Sequence, residues 1–170
     1  AQVKATIEGL KSTDQVSDIF LLATTPDAAP VEGCVVLPVK SLNSTETMRA
    51  IAAHAAAEYT MIYTKYTTLE LGMYALERMV RLAQDSGAGM VYADHYQVTG
   101  EKRVNSPVID YQFGSLRDDF NFGSVLLYRT DALKEAVSRM KTDYEFAGLY
   151  DLRLKVSQKA SLVHNNEYLY

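Results

Sequence analysis

With 170 residues, 48% apolar and 22% charged, the chain has the balance of an ordinary globular domain and enough length to bury a substantial core. A net charge of -4 without a basic cluster argues against a nucleic-acid or anionic-membrane footprint, because both need concentrated Lys and Arg. One cysteine excludes an internal disulfide, and His54, His95 and His164 lie too far apart for a short-spaced zinc motif.

No apolar run approaches the ~20 residues of a membrane span, and no signal-peptide pattern is present, so the sequence reads as cytoplasmic. It opens without an initiator Met on a helical pattern and ends on "NNEYLY". Both ends fit a fragment of a longer protein.

Residues 2–12 carry Val3, Ile7 and Leu10 at helical spacing and predict a first helix. "DIFLLATT" (18–25) is a continuous apolar run, the pattern of a strand buried on both faces. "CVVLPV" (34–39) is a second strand, with Pro38 placing it at an edge or ending it early. Cys34, inside that run, reads as a buried core thiol. "NSTETMRAIAAHAAAEY" offers Asn43, Ser44 and Thr45 as caps. Met48, Ile51, Ala52 and Ala55 then share one face, which predicts a helix. "TMIYT" (60–64) is a third strand. Residues 69–86 predict the clearest helix, with Leu69, Met73, Leu76, Val80 and Ala83 in one stripe and "SGAG" as its stop.

"MVYADHYQV" (90–98) is a fourth strand. Residues 99–120 are polar and punctuated by Gly and Pro. They read as one long loop, a kind of segment that often carries function. "GSVLLYRT" (123–130) is a fifth strand. "DALKEAVSRM" and "EFAGLYDLRLKVSQ" are helices, and "ASLVHNNEYLY" is a final strand. Strands separated by helices predict one α/β domain with three α/β/α layers and a mostly parallel sheet.

Ligands in such sheets bind at the carboxyl ends of the strands. The third strand ends in "TKYTT" (64–68), with no carboxylate before Glu70. The fourth ends in "YADHY" (92–96). There Asp94 and His95 can hold a metal or act as an acid/base pair. Neighbours on a strand point to opposite faces, however, so a solvated strand end is the plainer reading. Asp143, Glu145 and Asp151 lie around a helix start, where carboxylates also simply complement the helix dipole. Tyr63, Tyr66, Tyr92, Tyr96 and Tyr111 fall near the ligand edge. They suit stacking on a base or sugar, or half-buried strand positions. There is no phosphate-cradling glycine loop and no nucleophile elbow.

Four pieces in this order resemble the family-two inverting glycosyltransferases of the GT-A fold. "AEYTMIY" is similar to the family's A-x-G-E-Y entry into its central strand. "LELGMYALERMV" is similar to the helix after its metal motif. "FNFGSVLLYRTDALKEA" is similar to its G-x-x-x-x-R-R-x-x-L segment, and "YDLRLKVS…ASLVHNNEYLY" to its E-D-x-D-L-x-L-R…Y ending. The similarity runs from about residue 3 to the end. It implies a GT-A-like nucleotide-diphospho-sugar transferase fold lacking the usual first strand. It also implies transfer of a sugar from a nucleotide-diphosphate donor to a glycan or other hydroxyl acceptor. In that family a D-x-D motif holds Mg²⁺ or Mn²⁺ and the Asp of the E-D pair is the general base.

Carried onto this chain, the D-x-D falls on Thr64, Lys65 and Tyr66, and the E-D pair on Gly148 and Leu149. Asp151, followed by Leu152, matches the motif's second Asp, and Lys155 stands where its Arg would be. Two alternatives follow. One is a non-catalytic glycan-binding or scaffold module of a multidomain glycosyltransferase. The other is a rearranged site in which Lys65 supplies the metal's charge on the diphosphate, Asp94 contacts donor or metal, and Glu145 is the base. The candidate set is therefore Glu145 and Asp151 as catalytic residues, with Lys65, Tyr66, Asp94, His95 and Asn121 on the substrates. A sheet without its first strand has an exposed edge. Dimerisation, strand exchange or a rearranged sheet is expected to cover it.

Overall fold

The computed structural model describes residues 1–117 and 119–170. Its elements run in order from α1 (Gln2–Lys11), β1 (Phe20–Ala23) and β2 (Val35–Pro38) to α2 (Thr45–His54), β3 (Tyr59–Tyr63) and α3 (Ala75–Ser86). β4 (Met90–Thr99), β5 (Lys102–Ser106) and β6 (Val125–Arg129) follow, then α4 (Thr130–Ser138), α5 (Gly148–Lys159) and β7 (Leu162–Tyr168). No described helix is long and apolar enough to cross a membrane.

The strands form two separate sheets. β1 and β2 pair in parallel as a two-stranded unit. The other five form a mixed sheet in which β6 runs antiparallel to both β3 and β4, β5 pairs antiparallel with β4, and β7 lies parallel to β4. The expectation of a mostly parallel sheet is therefore wrong for the larger sheet: β4–β7 is its one parallel pairing among the described residues. An apolar run reports burial on both faces and carries no sign of strand direction. β6, "VLLYR", reads like a parallel central strand and runs the other way.

Side chains of β4 and β6 alternate between two cores. Met90, Tyr92, Leu126 and Tyr128 pack on Met48 of α2, Leu133 and Ala136 of α4, and Leu152 and Val156 of α5. Val91, Ala93, Val125 and Leu127 pack on Ala75, Met79 and Ala83 of α3. The larger sheet thus has helices on both flanks.

Three local expectations change. α3 begins at Ala75, not at residue 69, because the preceding segment is tied elsewhere. Leu69 N–H donates to Thr6 Oγ1 (3.0 Å), Gly72 N–H donates to Leu169 O (2.7 Å), and Tyr74 has φ 55°. Leu69 stays buried, while Met73, its supposed stripe partner, is 78% exposed. The long loop contains a hairpin strand, β5, whose first four residues are exposed. With polar residues on both faces it leaves no alternation to read. Cys34 is half-buried just ahead of β2, not in the core, and its Sγ lies 3.7 Å from Val31 O.

The caps hold as expected. Ser44 Oγ accepts from Thr47 N–H (3.1 Å) at the start of α2, and Gly87 closes α3 in the left-handed region at φ 67°. The start of α5 stands directly on this first cap. Gly148 N–H donates to Asn43 O (2.6 Å), and a Cβ at Gly148 would collide with the backbone of Ser44. Gly148→Ala is expected to cost about 1–3 kcal/mol, the usual range for overpacking. A urea midpoint equal to wild type would show that α5 does not dock so tightly.

Candidate functional site

At the carboxyl end of β3 the backbone is still held by β6: Thr64 N–H donates to Ser124 O (2.9 Å). Beyond it the chain is open. Lys65 is exposed and Tyr66 is 85% exposed, while Tyr63 OH donates back to Thr67 O (2.9 Å). Thr64 to Thr67 help line a groove of about 520 Å³, whose other lining residues come from β1, β3, α1 and α2 among others. Of the seven candidates, Lys65 and Tyr66 line this groove and the other five do not.

Asp94 and His95 diverge, as strand neighbours must. Asp94 is 6% exposed, and its Oδ1 accepts from Val108 N–H (2.9 Å) and faces His164 Nε2 (2.8 Å). His164 Nδ1 faces Asp110 Oδ1 (2.7 Å), and its ring lies flat on Tyr92, 5.1 Å away and 8° off parallel. The imidazole thus sits between the two carboxylates. This chain of contacts ties β4, β7 and residues 108–110 together. It engages Asp94 internally, so the expected donor or metal contact is not open.

His95 points the other way and stacks on Tyr170 (5.1 Å). Its Nδ1 is buried without a hydrogen-bond partner. Burial, and then the Lys65 ammonium, hold its pKa below the ordinary histidine value against the pull of Asp94. Tyr170 OH accepts from Ser124 N–H (2.8 Å) and Val125 N–H (3.2 Å). Asn121 Oδ1 accepts from Gly123 N–H (2.8 Å), so Asn121 closes the turn into β6. The tyrosines are dispersed: Tyr92 and Tyr111 pack on Phe122, and Tyr96 stacks on Tyr168.

Glu145 is exposed in the loop before α5, and the fold uses its carbonyl, which accepts from Ser41 Oγ (3.0 Å). Asp151 is buried in the first turn of α5. Its Oδ1 pairs with Lys155 Nζ (2.5 Å), and its Oδ2 has no partner. A general base must meet the acceptor hydroxyl. Asp151 instead meets its own helix one turn on.

Mg²⁺ or Mn²⁺ does not fit the residues present. The D-x-D position supplies two hydroxyl-bearing side chains and an ammonium, and no carboxylate. Among the described residues no group of three or more His, Cys, Asp or Glu side chains is placed to hold a metal.

Sequence reasoning did not single out His164, Asp110 or Tyr170. The signal for His164 lies only in the register that sets it opposite Tyr92, and a single chain does not display register before it is folded. No family model matches the chain, and comparison with curated proteins finds no match either.

Lys155→Met strands a buried carboxylate and is expected to cost about 3–5 kcal/mol, whereas Asp151→Leu/Lys155→Met regains most of it. Denaturant unfolding checks both, and equal losses in single and double variants would remove the pair from the account. His95 has a depressed folded-state pKa. Its contribution is therefore complete above the unfolded value near ~6.5 and is lost as pH falls through the folded value. Between pH 7 and pH 5 the wild type should lose more stability than His95→Phe. Parallel pH profiles would contradict this.

Proposed function

We propose that this chain is a non-catalytic glycan-binding or scaffold module with glycosyltransferase-like organisation, and that it does not transfer sugar itself. The reading takes its organisation from the segment resemblance and its lack of catalysis from the site. The observation that carries it is the buried Asp151–Lys155 pair, at the one place where an acid of the family's base motif has a counterpart. Asp94 is engaged by His164 and Val108, and Glu145 lies outside the groove that Lys65 and Tyr66 reach. The rearranged-site alternative needs Lys65, Asp94 and Glu145 around one donor. Of the three, Lys65 alone lines the groove.

The test is turnover. Nucleotide-diphospho-sugars with glycan acceptors are incubated with the chain, with and without Mn²⁺, and the expected result is no transfer above background. Transfer that disappears in Glu145→Gln or Asp151→Asn would overturn the proposal. If calorimetry detects UDP, Lys65→Ala should weaken binding about tenfold, consistent with loss of one charged contact to phosphate.

A further inference from the structure

We infer that the concave face formed by α3 and the α1–β1 connection is a binding site for a neutral sugar unit of a glycan. It rests on the glycan-binding reading proposed above and gives that reading a place on the molecule.

Tyr74, Glu77, Arg78, Arg81 and Gln84 recur at three- or four-residue intervals, so they form one stripe along α3. Gln15, from the connection between α1 and β1, lines the same concavity of about 540 Å³. That volume falls within the ~300–1,000 Å³ of small-ligand sites, which are lined mainly by apolar side chains. Here Val80 is the one aliphatic side chain among the described lining residues. Such a lining suits a ligand that is itself polar.

Charge and hydrogen-bond capacity narrow the class. Arg78 is already engaged, because its Nη1 meets Glu167 Oε2 of β7 (2.6 Å). Glu77 and Arg81 stand at the four-residue spacing, acid first, that favours an ion pair on a helix. At that spacing Glu135–Arg139 and Asp151–Lys155 do close. Among the described residues Glu77 and Arg81 enter no ion pair, and both line the concavity. One negative and one positive group thus remain, and no net field selects an ion. The carboxylate only accepts and the guanidinium only donates, while the amides of Gln15 and Gln84 do both. A phosphate would face Glu77 with a second acceptor. Sugar hydroxyls both donate and accept, and adjacent pairs of them match the planar ends of these side chains.

Tyr74 supplies a surface for the ring of the sugar. It is 64% exposed, and its backbone sits in the left-handed region at φ 55°, where a bulky residue is rare. Glycine or asparagine takes that conformation more easily, so the turn itself gains nothing from an aromatic ring. An exposed tyrosine can cover the apolar C–H face of a sugar and keep its hydroxyl in water. A peptide is the poorer match. The helix offers no backbone ladder, and the concavity has no aliphatic anchor pocket.

The test titrates the isotope-labelled chain with maltohexaose, cellohexaose and chitohexaose at millimolar concentration and follows its amides by NMR. Shifts at Gln15, at residues 74–84 and at the Gln84 side-chain amide are expected with at least one of the three. Tyr74→Asn should weaken that binding at least about fivefold and leave the urea midpoint equal or higher, because Asn relieves the left-handed strain. A residue that only holds the fold would lower the midpoint. Arg81→Met, at an exposed position, should weaken binding by a similar factor and decides the matter if Tyr74→Asn is unstable. An oligogalacturonate, as the anionic control, should bind more weakly than the neutral glycan, and tighter binding would overturn the neutral-sugar assignment. Glycan binding that shifts other residues and survives both substitutions overturns this site while the glycan-binding reading stands. No shift with any of the three neutral glycans overturns both and leaves the scaffold role.

Discussion

Met90 to Ala93 of β4 carry apolar side chains into both cores; all four pair with β7, and Met90 and Val91 pair with β6 as well. The helices of both flanks are positioned against this short stretch. Side chains at 90 and 92 commit one face to α2, α4 and α5, and those at 91 and 93 commit the other to α3. A slip of one residue would exchange the two sets, so the register is fixed strongly here. Asp94 then follows at a bulge, and its carboxylate meets His164 and Val108 because β7 and the 108–110 segment are brought to that point.

Much of the architecture is legible in the sequence because it is written in periodicity. Ser44 before an apolar stripe marks α2, "SGAG" ends α3, and continuous apolar runs give β1, β3, β4 and β6 within a residue or two. What was not legible depends on partners distant in sequence. The direction of β6 is set by the neighbours it joins. The late start of α3 follows from bonds to Thr6 and Leu169. β5 is a polar hairpin strand stabilised by pairing with β4, so hydrophobic pattern alone misses it.

The candidate residues divide along the same line. Lys65 and Tyr66 lie at an open strand end, as the α/β logic places them, and they keep their exposure. The carboxylates were identified by type and position, and type does not reveal engagement. Asp94 is bonded to a histidine seventy positions on, and Asp151 to a lysine one turn away. A buried ion pair of this kind is weak evidence for stability, because desolvation offsets the attraction. Its effect is on availability: an acid held by its own helix is not free to take a proton from a bound hydroxyl.

The division into two sheets also bears on how the molecule comes apart. β1 and β2 share no ladder with the other five strands, and their side chains are only partly covered. Opening this pair breaks no hydrogen bond of the larger sheet and exposes little of either core. Residues 20–38 therefore form a low-lying cooperative unit, able to detach and re-form while β4 and its neighbours remain folded. A limited-proteolysis cut in the 24–34 connection would report that sub-global event and not unfolding of the domain.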